Sequence, residues 1–301
     1  MMVKDKKIIR FVFIWLIVFT FSSLLFAQDS PDIDGKSCLW KVQSENNTLY
    51  LLGSVHILKQ ENYPLKESIE QAFDDVQKLV FEIHLDSAET LSTQMKILSK
   101  GMYSDGSTLQ ENIEEEIYSL VKKKAEELGL GIEQMSRFKP WFVTVTLMAL
   151  KLQKLGFNPN YGIDKYFFKK AKEAGKEIAG LETVEYQIDL FDSLSKMNQK
   201  DLILQTLKEL DVLEEEIDDL IGAWRMGHSV KLEDMVLKSF KEYPEIYRTF
   251  IYDRNISWLP QVESFLKLNK NVLVIVGAGH LLGKDGLIGM LEKSGYSAEQ
   301  L

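Results

Sequence analysis

The stretch VLVIVGAGHLLGKDG, residues 272–286, decides how this chain is read. Val272 to Val276 are all apolar, with no polar residue at alternate positions. A run of this kind reads as a strand buried on both faces of a sheet. Gly277 and Gly279 then take the chain off the strand, and His280 follows. A matching stretch, LYLLGSVHILKQENY, occupies residues 49–63, where an apolar run leads to Gly53 and, three residues on, to His56. The chain has only 4 histidines, so half of them share one local setting at opposite ends of the sequence. Such a spacing is too wide for a solenoid repeat. It fits an ancient pseudo-twofold, or two strands that meet in the middle of one sheet.

The composition is that of a globular chain: 301 residues, 45% hydrophobic and 27% charged. The length suits one large domain or two small ones. A net charge of -9 argues against a non-specific nucleic-acid binder, which needs a basic face to neutralise phosphates. The N-terminus carries Lys4, Lys6, Lys7 and Arg10, then the apolar run FVFIWLIVFTFSSLLFA, then polar turn-formers. Residues 1–27 therefore read as a secretory signal, with cleavage after Ala27. Leu25 is large for its place three residues before that cleavage point, so an uncleaved anchor that tethers the protein to a membrane is the other reading. Either way an exported protein is expected, periplasmic or secreted. Cys38 is the single cysteine, so no internal disulfide forms and the core or a metal must hold the fold.

The elements follow from periodicity. LWKVQSENNTLYLLGSVH reads as a hairpin turning at Asn46 and Asn47. PLKESIEQAFDDVQ is amphipathic at helical spacing, and KLVFEIHLD is another buried strand. Helical insertions are expected at about 88–160 and 186–250 within a domain running from 28 to 301. Between them the chain returns to α/β. Asp164 suits a first helical turn, Gly175 a helix stop, and the strand KEIAGLE ends at Glu182. The last strand and helix leave a short tail from Tyr296. The fold class expected is α/β, a central sheet built from two βα halves with large helical insertions.

Open α/β sheets bind ligands beyond the carboxyl ends of their strands. His56, Glu82, Glu182 and His280 all fall at such ends. Two neutral imidazoles and a carboxylate are a common ligand set for a divalent transition metal. A glycine ahead of each histidine permits a sharp turn off the strand and the close approach of a ligand. If Glu82 lies in regular strand, His84 shares its face and could supply a fourth contact. Arg254 is a fork donor suited to a carboxylate, a phosphate or a developing oxyanion. Each residue also has a plainer reading: a hydrogen-bonded structural histidine, a carboxylate capping a neighbouring helix, an Arg254–Asn255 pair that only packs a helix end, a rim position for His84. His228 reads as a surface residue.

The order LLGSVH, VFEI, YGID, GLETVEYQ, YDRNISW and VGAGHLLGKDGL resembles the TraB/GumN family, which includes the Tiki-type proteases. The resemblance runs from about Leu39 to Tyr296. It implies a fold similar to the ChaN and erythromycin-esterase architecture, and metal-dependent hydrolysis of a peptide or protein substrate. By position it implies His56, His280 and Glu82 as metal ligands, with manganese or cobalt as the ion and zinc as a further candidate. Glu82, Arg254 and Asn255 would be catalytic. Gly53, Gly277, Gly279, Asp164, Glu182 and His84 would line or support the site. Where the family often has a carboxylate shortly after the glutamate, this chain has His84 and then Asp86. Two other readings stand beside the hydrolase. One is a haem- or ligand-binding module of the ChaN type without turnover; the other is an inactive accessory protein.

Overall fold

The computed structural model describes residues 35–238 and 240–301. The signal segment expected at residues 1–27 lies outside the described residues. Six strands form one sheet: β1 (Leu39–Gln43), β2 (Thr48–Ser54), β3 (Lys78–Phe81), β4 (Glu177–Gly180), β5 (Val272–Gly277) and β6 (Ala298–Gln300). Their order across the sheet is β4-β3-β5-β2-β1-β6. Strands β4, β3, β5 and β2 are mutually parallel neighbours, while β1 pairs antiparallel with both β2 and β6. The protein is thus mixed α/β, with a parallel centre.

The central strands show why their sequences lack alternation. Every side chain from Val272 to Val276 is 0% exposed, as are Leu49, Leu51 and Leu52. Each such side chain contributes about 1.5–3 kcal/mol by leaving water. β2 and β5 are direct neighbours, with Gly53 opposite Val276 and Ser54 opposite Gly277. The two matched stretches are therefore two strands meeting at the middle of one sheet. The β1–β2 turn falls at Ser44 to Asn47. There the Asn47 side-chain amide donates to the Phe265 carbonyl at 2.8 Å and the Lys270 carbonyl at 2.7 Å.

The chain divides into two compact units. The sheet unit holds residues 35–85, 160–183 and 217–301, and the helical unit holds Asp86–Pro159 and Val184–Glu216. In the sheet unit, α1 (Glu67–Asp75) and α7 (Ile163–Glu173) pack together through Phe73 and Phe167, whose ring centroids are 5.5 Å apart. Also in this unit are α10 (Ser229–Lys238), α12 (Asp253–Phe265) and α13 (Leu287–Lys293). One π-type turn, Arg248–Tyr252, leads directly into α12. Turns of this kind are often found at functional sites.

The helical unit is built mainly from α3 (Leu91–Gly101), α5 (Glu115–Glu127), α6 (Pro140–Lys154) and α8 (Val184–Asp192). The Thr90 hydroxyl caps α3 by accepting from the Thr93 N–H. Pro140 opens α6, which buries Trp141, Phe142, Val143 and Leu147. At Gly101 an added Cβ would come within 2.5 Å of the Phe142 ring, so glycine lets α3 end against α6. The charged block Glu114 to Glu116 is exposed, as a solvated face should be. The division between the units falls at residues 216 and 217, within the residues of α9 (Lys196–Arg225).

Three local expectations need correcting. β3 ends at Phe81, so Glu82 and His84 do not share a strand face. His84 instead sets its ring edge-on to Phe168, 5.2 Å between centroids. The short tail after Tyr296 carries a strand that was not expected, because Ala298–Gln300 joins the sheet as β6. Asp164 does sit in the first turn of α7, but its carboxylate oxygens bond Ser54 and His56.

Candidate functional site

The parallel strands end on one side of the sheet unit, and the chemistry collects there. Just past β2, His56 projects with 53% of its side chain exposed. Its Nδ1 lies 2.7 Å from Asp164 Oδ2, and the other carboxylate oxygen accepts from the Ser54 hydroxyl at 3.0 Å. An ionised carboxylate only accepts, so Nδ1 carries a proton and Nε2 is the edge turned to the site. That Nε2 lies 4.0 Å from Glu82 Oε1. Asp164 beside the ring raises the His56 pKa to about 9, against an opposing effect of burial.

His280, just past β5, is 4% exposed. Its Nε2 is 3.9 Å from the same oxygen of Glu82. Arg254 NH1 donates to that Nε2 at 2.9 Å. A guanidinium can only donate, so Nε2 accepts and Nδ1 is protonated. Nδ1–H then donates to Asn255 Oδ1 at 2.8 Å. The Asn255 amide nitrogen donates to the carbonyls of His280 at 3.2 Å and Asp285 at 2.8 Å. Asn255 is 0% exposed and holds His280 from behind. Burial, with Arg254 adding to it, lowers the His280 pKa to about 3, so the ring is neutral.

Glu82, just past β3, is the meeting point. Its Oε1 accepts the Gly277 N–H at 2.8 Å, and its Oε2 accepts from Arg254 NH2 at 2.5 Å. Burial favours the neutral acid, but Arg254, the two imidazoles and the Gly277 N–H outweigh it and hold the carboxyl below the usual carboxylate range. Glu182, just past β4, takes the other side of the guanidinium: Arg254 NH2 donates to it at 2.6 Å and Nε at 3.1 Å. The Trp258 indole N–H also donates to Glu182, at 2.9 Å. The Trp258 ring lies under the Arg254 guanidinium at 4.5 Å and against His280 at 4.5 Å.

The glycines divide by role. At Gly277 an added Cβ would lie 3.3 Å from both Glu82 Oε1 and His56 Nε2, and 3.7 Å from His280. Gly277 thus keeps open the space on which the three side chains converge. At Gly53 a Cβ would meet Cys38 Sγ at 2.5 Å, and at Gly279 it would meet Val236 at 3.0 Å; both are close packing contacts. Neither Gly53 nor Gly277 has positive φ, so the sharp-turn reason for glycine does not apply at either. His84 and His228 make none of the site contacts described here.

Sequence reasoning missed Ser54 and Trp258. Ser54 is the last residue of β2, and it meets His56 only through the carboxylate of Asp164, which both contact. Trp258 lies four residues after Arg254, on one face of α12. Trp224 also escaped notice; its indole N–H donates to the Gly53 carbonyl at 2.7 Å and ties the end of β2.

Among the described residues, no three His, Cys, Asp or Glu side chains stand close enough together to hold a metal ion as they lie. The donor chemistry nonetheless fits a divalent cation. Two imidazoles with tethered Nδ1–H groups direct Nε2 at one carboxylate oxygen, the arrangement that supports metal-ligating histidines. With His280 neutral and His56 protonated, the formal charges of Glu82, Glu182 and Asp164 against Arg254 and His56 leave -1; loss of the His56 proton takes this to -2, which a divalent cation would balance. What stands in the way is Arg254 NH1 on His280 Nε2.

The chain matches the TraB/PrgY/gumN family over residues 38–300 and belongs to that family. It is 24% identical over 248 residues to the uncharacterized protein YbaP of Escherichia coli (strain K12), covering 82% of this chain and 88% of YbaP. It is 22% identical over 319 residues to metalloprotease TIKI2 of Danio rerio, covering 88% of this chain and 61% of that protein. An uncharacterized protein of Treponema pallidum (strain Nichols) is 20% identical over 84% of this chain and 80% of its own length. No solved structure matches.

Proposed function

We propose that this TraB/PrgY/gumN protein is an exported, metal-dependent hydrolase that cleaves peptide bonds. One observation carries the reading: His56 Nε2 and His280 Nε2 both point at Glu82 Oε1, at 4.0 and 3.9 Å, around the space that Gly277 leaves free. The likeness to relatives named metalloproteases supports it. We read the parallel centre with its residues at the strand ends as the ChaN/erythromycin-esterase arrangement.

His56, Glu82 and His280 would hold the cation, manganese or cobalt by the family resemblance. When bound, such an ion polarises a carbonyl and makes water acidic enough to attack near neutral pH. The chain's own residues do the remaining work. Asp164 and Asn255 fix the two imidazoles with Nε2 turned inward. Glu82, ionised across the working range, contributes charge and is a weak proton acceptor. Asn255 is enclosed behind His280, so it orients that ring and does not touch substrate. Arg254 keeps Glu82 and Glu182 from repelling each other.

The test is cleavage of a peptide library by the purified protein with added manganese. His56→Ala and His280→Ala should each reduce the rate at least about a hundredfold, the scale expected when an essential site group is lost. Chelator should abolish cleavage, and readdition of metal should restore it. Cleavage that survives both substitutions would sink this assignment.

A further inference from the structure

We propose that Arg254 is a displaceable occupant of the cation site: its guanidinium holds the His280 lone pair until a divalent cation takes it. This rests on the reading of His56, Glu82 and His280 as cation ligands and adds how that site is kept when no cation is bound.

His280 Nδ1 is committed to Asn255, so Nε2 is the ring's only acceptor. Arg254 NH1 uses it at 2.9 Å. A cation needs the same electron pair, so guanidinium and cation exclude each other at that atom. Arg254 also bonds Glu82 Oε2. It therefore touches two of the three side chains that would ligate the ion.

A displaced guanidinium also needs somewhere to go. The fork does not depend on His280. Nε and NH2 are held by Glu182, at 3.1 and 2.6 Å, and NH1 also donates to the Phe250 carbonyl at 3.2 Å. Trp258 supports both the guanidinium face and the Glu182 carboxylate. Glu182 and Trp258 thus form a berth that retains the charge after NH1 leaves His280. Arg254 directly follows the π-type turn Arg248–Tyr252 and Asp253, at the start of α12. A buried cluster of carboxylates with no cation would be costly, and this internal cation spares the empty site that cost.

Arg254→Lys separates charge from geometry. Lysine keeps the positive charge but lacks the fork. Equilibrium dialysis against manganese(II) should show the variant binding about tenfold more tightly, the scale of losing one charge-assisted hydrogen bond as competitor. Equal affinity for wild type and variant would overturn the proposal and leave the ligand assignment standing. Binding by neither would overturn both. Nitrogen-15 spectra of the wild-type protein give a readout that needs no variant. With zinc as a diamagnetic probe, the His280 Nε2 and Arg254 Nη resonances should shift together. A His280 shift with Arg254 unchanged would overturn the proposal.

Discussion

At the scale of single residues, the two matched glycines turn out to do different things. Gly277 has φ -49° and ψ 136°, a backbone any residue adopts, so only space requires glycine there. Gly277→Ala should fold with a normal near-ultraviolet spectrum yet lose cation-dependent cleavage at least about tenfold, because the new methyl sits between His56 and Glu82. Gly53→Ala should show the converse: overpacking against Cys38 should cost about 1–3 kcal/mol in denaturant unfolding. His56 supplies a second prediction, made for protein treated with chelator. Its pKa, about 9, lies above the ordinary 6.5. The Asp164–His56 pair therefore adds stability that is complete below about 6.5 and fades as pH rises through about 9. Proton spectra of the imidazole should show Asp164→Asn pulling that titration down toward the ordinary value; an unmoved titration would contradict the pairing. His56, Glu82, Glu182 and His280 were legible because each follows an apolar run. The partner of Asp164 was not, because its first-turn position gives the local reading of a cap while His56 lies 108 residues away.

At the scale of elements, β2, β3 and β5 could be read because central strands must be apolar on both faces. β6 could not: Ala298, Glu299 and Gln300 carry no pattern, and only pairing with β1 makes them a strand. Its hydrogen bonds are nevertheless numerous. Leu301 N–H donates to the Leu39 carbonyl at 2.9 Å, and the Gln300 amide donates to the carbonyls of Ser37 at 2.9 Å and Gly227 at 2.7 Å. Ser37 N–H donates to the Leu301 carbonyl. Four hydrogen bonds near 1 kcal/mol each give about 4 kcal/mol. Deleting residues 298–301 should lower the thermal midpoint by roughly 8–16 °C by calorimetry. A shift within about 2 °C would mean that β6 is ornamental. The insertions show the reverse case. Helices α3, α5 and α6 were readable as helical segments, α6 as a buried one, but what their buried residues pack against was not.

At the scale of the whole molecule, family membership spans residues 38–300, and the sequence before it carries the proposed export signal. Among the described residues no helix is long and apolar enough to cross a membrane. The proposed export rests on the first 27 residues, and a reporter phosphatase that works only outside the cytoplasm checks it. Fused behind residues 1–34, the reporter should be active; an inactive fusion would remove export from the proposal. The strand order carries one more consequence, for the birth of the protein. β5 lies between β3 and β2, yet it is made after both, at residues 272–277. While the ribosome is still at work, β2 and β3 have no strand to join them, and His56 and Glu82 have no His280. The parallel centre can close only after β5 has been made. If the proposed export threads the chain unfolded through a translocation channel, this topology would delay its folding until β5 is present.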